Sequence, residues 1–264
     1  MIEIPSFRPE TRYGIPTADL YLMNRQYIVG YSFLFRQPRW ALELIDEDNI
    51  AIKENLFRLD NFRIDLRIPE KFRSTLKDYS AEKHPVDKKS LWDRGHLVSS
   101  ADRRSKFVLN SETFLLSNMS PQARGFNRGI WKDLEEAVRH LARQTDQYVE
   151  VYAVCGPLFD VDDDIHVIGT SRVVVPHGYF KSVLAERKTG RFDMWSFMIP
   201  NEEQSKPLSS FQCTTDEVER RAGLSLWDRL RGEDGDELRR VKKKMWSLAG
   251  STKKAARKKK TTKT

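Results

Sequence analysis

The sequence predicts an α+β fold with a mixed, largely antiparallel sheet as its core. Short runs rich in β-branched and aromatic residues recur along most of the chain, and such runs are typical of strands. Two of these runs flank a turn at residues 188–191, which indicates a hairpin and therefore an antiparallel pair. One long stretch, residues 130–141, instead spaces its apolar residues at the helical period. At 264 residues and 39% hydrophobic content, the chain is long enough for one sizeable core.

The strands follow an extended, proline-marked lead-in that we place at residues 1–26. The predicted strands span residues 27–35, 40–45, 91–98, 114–119, 148–154, 173–176, 180–187 and 192–199. Gly30 lies inside the first of them and predicts a bulge. A Gly-Pro pair after Cys155 predicts the end of the fifth strand.

Two further segments have a local pattern of their own. Residues 71–85 are charged and polar, which predicts a helix or an irregular excursion. Residues 215–222 predict a short helix, because Thr214 or Thr215 is a favourable N-cap and Gly223 a favourable stop.

Residues 91–141 hold the side chains best suited to catalysis. Arg94 and His96 lie two residues apart on a predicted strand, so both project from the same face. Asp93 faces the other way. The strand at 114–119 and a helix follow, with Asn127 at the position of the N-cap. This order of two strands and a helix predicts the ββα arrangement of a one-metal nuclease.

Three separated motifs in this stretch resemble the DNA/RNA non-specific endonucleases, the endonuclease G-like branch of the His-Me finger, or ββα-metal, enzymes. The motifs are Asp93-Arg94-Gly95-His96, FLLSNMSPQ at 114–122 and FNRGIWKDLE at 126–135. The similarity is specific because the motifs occur in the family's order at compatible spacing, and it covers roughly residues 27 to 230. The resemblance implies a ββα-metal endonuclease domain, which we place at residues 27–231.

The resemblance implies that His96 is the general base, which takes a proton from the water that attacks phosphorus. Unperturbed histidine has the side-chain pKa nearest neutral pH, which suits that role. Asn127 is similar to the family's metal-ligating asparagine. The implied ion is Mg²⁺, or Mn²⁺ or another divalent cation in its place, because Mg²⁺ prefers oxygen ligands and keeps several waters. Capping the helix is the simpler role for Asn127, and the two roles can coexist.

Glu135 matches the family carboxylate that helps hold the metal through water. On a regular helix Glu135 lies roughly 12 Å along the axis and about 80° around it from Asn127. That offset favours the water-mediated position over direct ligation. Without the resemblance, Glu135 would be taken as a solvated carboxylate paired with Arg139, four residues later.

The remaining implied roles concern Asn118 and a group of arginines. Asn118 is similar to the family asparagine that supports the site by orienting His96 or the scissile phosphate. Arg58 resembles the arginine that stabilises the pentacovalent phosphate, a task that suits bidentate, permanently charged chemistry. Spacing alone does not separate Arg58 from Arg63, and a surface arginine on a loop is the alternative. Arg94 is predicted to clamp phosphate. The predicted substrate-binding residues are Arg124, Arg128 and Arg139.

The chain is basic, with a net charge of +8 and a pI of about 9.4, which favours a polyanionic partner. The last fifteen residues, GSTKKAARKKKTTKT, hold seven lysines or arginines and no acid, so the rest carries a net charge of about +1. DNA and RNA are therefore expected to bind local clusters of basic residues. Residues 232–264 are predicted to be a basic, disordered tail, because like charges do not bury enough apolar surface to fold.

The sequence shows neither a membrane span nor a secretory signal. We therefore expect a cytoplasmic protein, or a nuclear one in a eukaryote, with Cys155 and Cys213 reduced. His166 and His177 have no ligand-spaced partners and are predicted to be non-catalytic. The family resemblance admits a homodimer, which is common in the endonuclease G-like branch, and an inhibitor or immunity protein as a partner.

The sequence leaves two main function classes open. The favoured one is a metal-dependent endonuclease that hydrolyses DNA and RNA with little sequence preference and leaves 5′ phosphates. The alternative is a non-catalytic nucleic-acid-binding protein on the same scaffold. The joint presence of His96, Asn118, Asn127 and Glu135 favours the enzyme, because binding alone needs none of them. A third hypothesis, a phosphodiesterase of the same fold acting on small nucleotides, predicts cleavage of a chromogenic diester but not of plasmid.

Overall fold

A computed structural model describes residues 8–50, 59–160, 162–230 and 232–247 and shows the predicted α+β architecture. The strands are β1 (Leu20–Met23), β2 (Tyr27–Ser32), β3 (Gln37–Leu44), β4 (Trp92–His96), β5 (Met119–Ala123), β6 (Tyr148–Leu158), β7 (Val167–Ile168), β8 (Val173–Val174), β9 (Gly178–Arg187), β10 (Phe192–Pro200) and β11 (Gln212–Cys213). The helices are α1 (Glu47–Ile50), α2 (Phe107–Glu112), α3 (Arg124–Phe126), α4 (Lys132–Ala142), α5 (Thr215–Ala222) and α6 (Glu233–Arg240).

A seven-stranded sheet in the order β1-β2-β3-β6-β9-β10-β11 forms the core. Every neighbouring pair in this sheet is antiparallel, which confirms the predicted fold class. Successive side chains of the strands face opposite sides, and both sides are buried. Leu134 of α4 lies in the apolar cluster on one face and Val218 of α5 in the cluster on the other. Because both faces are covered, the strands are apolar almost throughout.

The predicted bulge at Gly30 is confirmed. The pairing register between β2 and β3 shifts between Gly30 and Tyr31. A Cβ atom at Gly30 would lie 2.1 Å from the Trp40 ring. Glycine therefore allows β2 to approach the buried indole on β3.

Strand β6 does not end at the predicted Gly-Pro pair but continues to Leu158. Its pairing with β3 reaches only Cys155, whereas its pairing with β9 continues to Leu158. Pro157 lies beyond the last β3 partner, so its missing amide hydrogen interrupts no bond to β3. The local signal for a strand end was therefore wrong.

Helix α5 matches its prediction because both of its ends are set locally. Thr214 accepts from the backbone of Glu217, whose carboxylate accepts from the backbone of Thr214 in return, a capping box. Gly223 closes the helix with φ 61° and ψ 40°, a left-handed conformation that glycine adopts without strain. Cys155 and Cys213 are free thiols, as predicted.

Both termini of the described chain are more ordered than the sequence suggested. Within the lead-in, Leu20–Met23 forms the edge strand β1, which is short and was not predicted. After α6, Trp246 is buried and its indole nitrogen donates to the Ala137 carbonyl of α4 at 3.0 Å. Disorder was therefore the wrong prediction for residues 232–247, because Trp246 and Met245 supply apolar surface that the charged composition hides. Residues 248–264 lie outside the described residues.

Candidate active site

The candidate site lies where β4 and β5 form a separate two-stranded sheet that leads directly into α3. His96, the last residue of β4, pairs with Met119, the first residue of β5. The second strand had been predicted at 114–119, and this prediction is wrong because Leu116–Asn118 forms a 3₁₀ turn. Because β5 starts at Met119, it leads directly into the helical segment that carries Asn127.

Asn118 stabilises that 3₁₀ turn and is fully buried. Its amide oxygen accepts from the Val98 backbone nitrogen at 3.0 Å, and its amide nitrogen donates to the carbonyls of Val98 and Thr113, both at 2.9 Å. Such side-chain bonds compete with a strand ladder, which explains why this segment turns. Asn118 thus fixes the backbone two residues after His96, and its burial places it out of reach of a phosphate.

The helix that carries Asn127 begins at Arg124, earlier than predicted. Asn127 has helical φ −60° and ψ −44°, so the prediction that it is the N-cap is wrong. Asn127–Trp131 forms a π-helical segment with a non-helical Gly129 before α4 begins. Segments of this kind are frequent at functional sites. The regular-helix offset predicted between Asn127 and Glu135 therefore does not apply here.

One cavity of about 950 Å³ brings most of the predicted residues together. Its lining includes His96, Arg94, Asn127, Glu135, Arg124 and Arg128. Five lysine or arginine side chains line the cavity against three carboxylates. The excess of positive charge suits a phosphate-bearing substrate.

His96 is buried between two aromatic rings. The ring centroids of Phe62 and Phe114 lie 5.7 and 5.0 Å from that of His96, both edge-to-face. The Trp131 indole nitrogen donates to the His96 carbonyl at 3.3 Å, which ties the strand end to the helix. Phe62 also carries the Arg94 guanidinium 4.1 Å above its ring centroid. Sequence reasoning missed Phe62, although it adjoins Arg63, one of the two candidates for the transition-state arginine.

Asp93 was predicted to face the other side of its strand from Arg94 and His96, yet it lines the same cavity. Its carboxylate accepts from the Asn127 amide nitrogen at 2.9 Å and from Arg128 through two bonds of 2.8 Å. Burial raises the pKa of Asp93, but the bonds from Arg128 and Asn127 outweigh burial and hold that pKa below its ordinary value. Asp93 therefore stays charged and fixes the nitrogen end of the Asn127 amide, which leaves the amide oxygen as the acceptor.

Glu135 lines the cavity from α4 and has a perturbed acidity. Burial raises its pKa to about 7, and Asp102 adds to the rise, while Lys181 and Arg139 oppose it. A partly buried carboxylate that titrates near neutral pH is typical of functional sites.

The donor set of this cavity fits a hard divalent cation. The Asn127 amide oxygen and the Glu135 carboxylate are both oxygen donors, and both line the cavity with His96. Among the residues the structure describes, no group of three or more His, Cys, Asp and Glu side chains is arranged to hold a metal ion. Oxygen donors of this kind suit a hard divalent cation.

Arg139 does not lie in the cavity, so its predicted role in substrate binding is wrong. Its side chain is buried and pairs with Asp102 at 2.8 Å and Glu136 at 3.0 Å. The helical period turns this face of α4 toward the sheet. Arg58 lies outside the described residues, and Arg63 donates to the Ser111 carbonyl at 2.9 Å. The choice between them as the transition-state arginine stays a prediction.

Arg139 belongs to a set of enclosed charges between α4 and the sheet, which we call the buried charge layer (Glu43, Asp102, Arg103, Arg139 and Lys181). Arg103 pairs with Glu43 at 3.0 Å. The Lys181 ammonium lies 4.8 Å from the centroid of the Trp131 ring. Burial, reinforced by Asp102, raises the pKa of Glu43, whereas Arg103 and Lys181 oppose that rise and favour the charged carboxylate.

Comparison with known proteins agrees with this geometry. The profile of a family described as DNA/RNA non-specific endonuclease matches residues 9–233. Mitochondrial endonuclease G of Caenorhabditis elegans is 33% identical over 231 residues, covering 83% of this chain and 71% of that protein. Nuclease C1 of Cunninghamella echinulata var. echinulata is 31% identical over 238 residues, covering 86% and 90%. A crystal structure of the EndoG/EndoGI complex superimposes with a TM-score of 0.77 at 31% identity, covering 88% of this chain and 95% of that one.

Proposed function

Because this chain belongs to the DNA/RNA non-specific endonuclease family and is therefore a nuclease, we propose that it hydrolyses phosphodiester bonds in DNA and RNA with little sequence preference and leaves 5′ phosphates. The observation that carries this proposal is the single cavity lined by His96, Asn127, Glu135 and Arg94. A protein that only binds nucleic acid has no need of a buried histidine beside two oxygen donors. The arrangement therefore favours hydrolysis over the binding alternative.

His96 acts as the general base and takes the proton of the attacking water at an imidazole nitrogen. Its surroundings suit a base that must stay in one orientation. Phe62 and Phe114 enclose the ring from two sides, and Asn118 fixes the backbone beyond it. A base held in place in this way needs little reorganisation when substrate binds.

Asn127 would hold the divalent ion through its amide oxygen, and Glu135 would hold it through water. Mg²⁺, when bound, supplies Lewis-acid stabilisation of the charge on the phosphate and on the leaving 3′ oxygen. Asp93 contributes by orienting the Asn127 amide through its hydrogen bond of 2.9 Å. In the same way Asp93 holds Arg128 at the edge of the cavity.

Three arginines that line the cavity, Arg94, Arg124 and Arg128, bind the phosphates of the substrate. We call this group the cavity rim. Arg94 is exposed and oriented by its stack on Phe62, so its planar guanidinium is ready for bidentate contact. Arg124 pairs with Asp87, whose side chain is 38% exposed, and Arg128, whose own side chain is 62% exposed, pairs with the less exposed Asp93. Exposed ion pairs are worth little, so phosphate displaces these partners at small cost.

Protein partners and cellular location stay predictions. The structural neighbour is the EndoG/EndoGI complex, which concerns the inhibition of EndoG. This complex supports a protein inhibitor for this chain. A homodimer is predicted from the family alone.

We propose the cytoplasm as the location, with the mitochondrion as the alternative because related nucleases are named as mitochondrial. No helix of the described ranges is long and apolar enough to cross a membrane.

Incubation of the full chain with supercoiled plasmid, single-stranded DNA and RNA, with Mg²⁺ or with chelator, tests the function. The wild type is expected to degrade all three with Mg²⁺ only. His96→Ala should lower kcat by about 10²- to 10⁴-fold, whereas the control His140→Ala, on α4 and outside the cavity lining, should retain activity. Intact substrate in every wild-type lane would instead favour the binding alternative.

The assignment of Asn127 is tested without activity. Calorimetric titration of the protein with Mn²⁺, in the absence of substrate, should show binding to the wild type and a large loss of affinity in Asn127→Ala. His96→Ala serves as the control and should bind the ion. Equal affinities in Asn127→Ala and wild type would remove Asn127 from the ligand set.

A further inference from the structure

The segment from Ala81 to Leu91, the 81–91 loop, projects as a closed hairpin beside the active-site cavity. Lys83 and Ser90 form an antiparallel bridge. The Leu91 nitrogen donates to the Glu82 carbonyl at 3.0 Å, and the His84 nitrogen donates to the Lys89 carbonyl at 2.8 Å. These backbone bonds give the loop a defined shape although most of its side chains are exposed.

Both carboxylates of the loop face the protein. Glu82 accepts from the Trp92 indole nitrogen at 2.8 Å and contacts the His166 ring nitrogen at 2.9 Å. Asp87 pairs with Arg124 at 3.0 Å. The two acids therefore attach the loop to the walls of the site, one on each side of its turn.

The three lysines of the loop face solvent instead. Lys83, Lys88 and Lys89 are all exposed, and the Lys89 side chain is 69% exposed with its ammonium 4.0 Å from Asp87. Lys89 also lines the cavity, together with Ser90 of the same loop. The basic wall formed by Arg94 and Arg124 thus continues onto the outer edge of the loop.

We infer that the 81–91 loop is a contact surface for the phosphate backbone of a polynucleotide, through Lys83, Lys88 and Lys89. This inference rests on the proposed function and specifies its substrate class. A small diester bound beside His96 and Asn127 occupies only part of the cavity and does not extend to Lys83 and Lys88, which are not among the residues that line it. A polynucleotide repeats its phosphates about every 3.4 Å of axis along each strand, so a chain held in the cavity presents further phosphates to the adjoining lysines.

Exposed lysines are usually a solvated surface, and two features separate this loop from that case. Its acids are attached to the site by Trp92, His166 and Arg124, and Asp87 also lies 4.0 Å from the Lys89 ammonium, so the acids offset only part of the charge on its outer edge. One of its lysines, Lys89, lines the cavity of the proposed reaction, and Lys83 and Lys88 lie on the same short hairpin. Contacts of this kind carry affinity without sequence preference, which suits a non-specific nuclease.

A triple variant, Lys83→Gln/Lys88→Gln/Lys89→Gln, tests the inference in the full chain. Fluorescence anisotropy with a labelled duplex in chelator, over a range of salt, should show affinity lower by about tenfold at 0.1 M salt and a salt slope smaller by about one to three. The KM for plasmid should rise with kcat unchanged. Cleavage of bis(p-nitrophenyl) phosphate by the double variant Lys83→Gln/Lys88→Gln, which leaves the cavity lining unchanged, should equal that of wild type.

The matched control, Lys188→Gln/Arg191→Gln/Arg220→Gln, removes the same charge from exposed positions on the β9–β10 turn and α5. If both triple variants show the same affinity and salt slope, the inference is overturned even though wild type still cleaves plasmid. If wild type cleaves no nucleic acid, the proposed function fails, and anisotropy still decides whether the loop binds the backbone. Cleavage of the chromogenic diester without cleavage of plasmid, RNA or single-stranded DNA would overturn the inference in favour of small nucleotides.

Discussion

The buried charge layer and the cavity rim contain the same kinds of side chain in different surroundings. In the layer, Arg103 is 0% exposed and pairs with Glu43, and Arg139 is 5% exposed and pairs with Asp102. At the rim, the Arg128 side chain is 62% exposed despite its bonds to Asp93. A charge removed from water needs a fixed partner, whereas an exposed one exchanges partners at little cost. Burial therefore decides which arginines are available to substrate.

The largest expected effect comes from breaking a pair in the buried charge layer. Arg103→Met leaves Glu43 enclosed without its cation, so the free energy of unfolding should fall by about 3–5 kcal/mol. Urea denaturation of the folded variant measures this loss. The double variant Glu43→Leu/Arg103→Met should recover most of it, because an apolar pair of similar volume replaces the ion pair. A double variant as unstable as the single one would contradict the explanation.

A second experiment replaces one arginine of each region by methionine, in two separate variants. Arg139→Met should lower the free energy of unfolding by about 3 kcal/mol, because Asp102 loses its buried partner. Arg128→Met should change that free energy by less than about 1 kcal/mol and should instead raise the KM for DNA. Unfolding curves and steady-state kinetics below the melting range separate the two effects. The comparison fails if both variants lose stability equally.

Glu135 lies between the two regions, and its ionisation links them. Its pKa of about 7 means that the carboxylate is fully charged only above neutral pH. Mn²⁺ affinity, measured by calorimetry without substrate, should therefore rise from pH 6 to pH 8, by up to about tenfold. Glu135→Gln should abolish this part of the pH dependence.

Stability should depend on the same ionisation with the opposite sign. The folded-state pKa of Glu135 is raised above its unfolded value, so its contribution to stability is complete below pH 4.5 and is lost as pH rises through about 7. Wild type should therefore lose stability relative to Glu135→Gln over that window. A constant difference across it would show that Glu135 does not titrate there.

The smallest effect is expected at Arg94, where charge and shape can be separated. Arg94→Lys keeps the charge but loses the planar group stacked on Phe62, so kcat/KM should fall by less than about tenfold with the salt slope unchanged. Arg94→Gln should reduce the salt slope by about one as well. Identical slopes in the two variants would exclude a phosphate contact by Arg94.

Elements set by local pattern were predicted closely. Strand 192–199 was found as Phe192–Pro200, and helix 215–222 has the predicted bounds. Alternation, turn residues and caps are properties of neighbouring residues, so the sequence displays them directly. The displaced β5 and the buried position of Trp246 depend on remote contacts. Asn118 turns the chain by bonding to Val98, twenty residues away, and the Trp246 indole reaches Ala137 across 109 residues.

The sequence by itself determined the sheet, the family and the inventory of reactive groups, His96, Asn127 and Glu135 above all, because residue type and spacing are read along the chain. The tertiary structure decided which of those groups meet. It turned Arg139 inward, brought Asp93 to Asn127 and set Lys89 of the 81–91 loop in the lining of the cavity. Burial and ion pairing arise between segments far apart in sequence, and only the packed chain fixes whether a charge is enclosed with a partner or left in water.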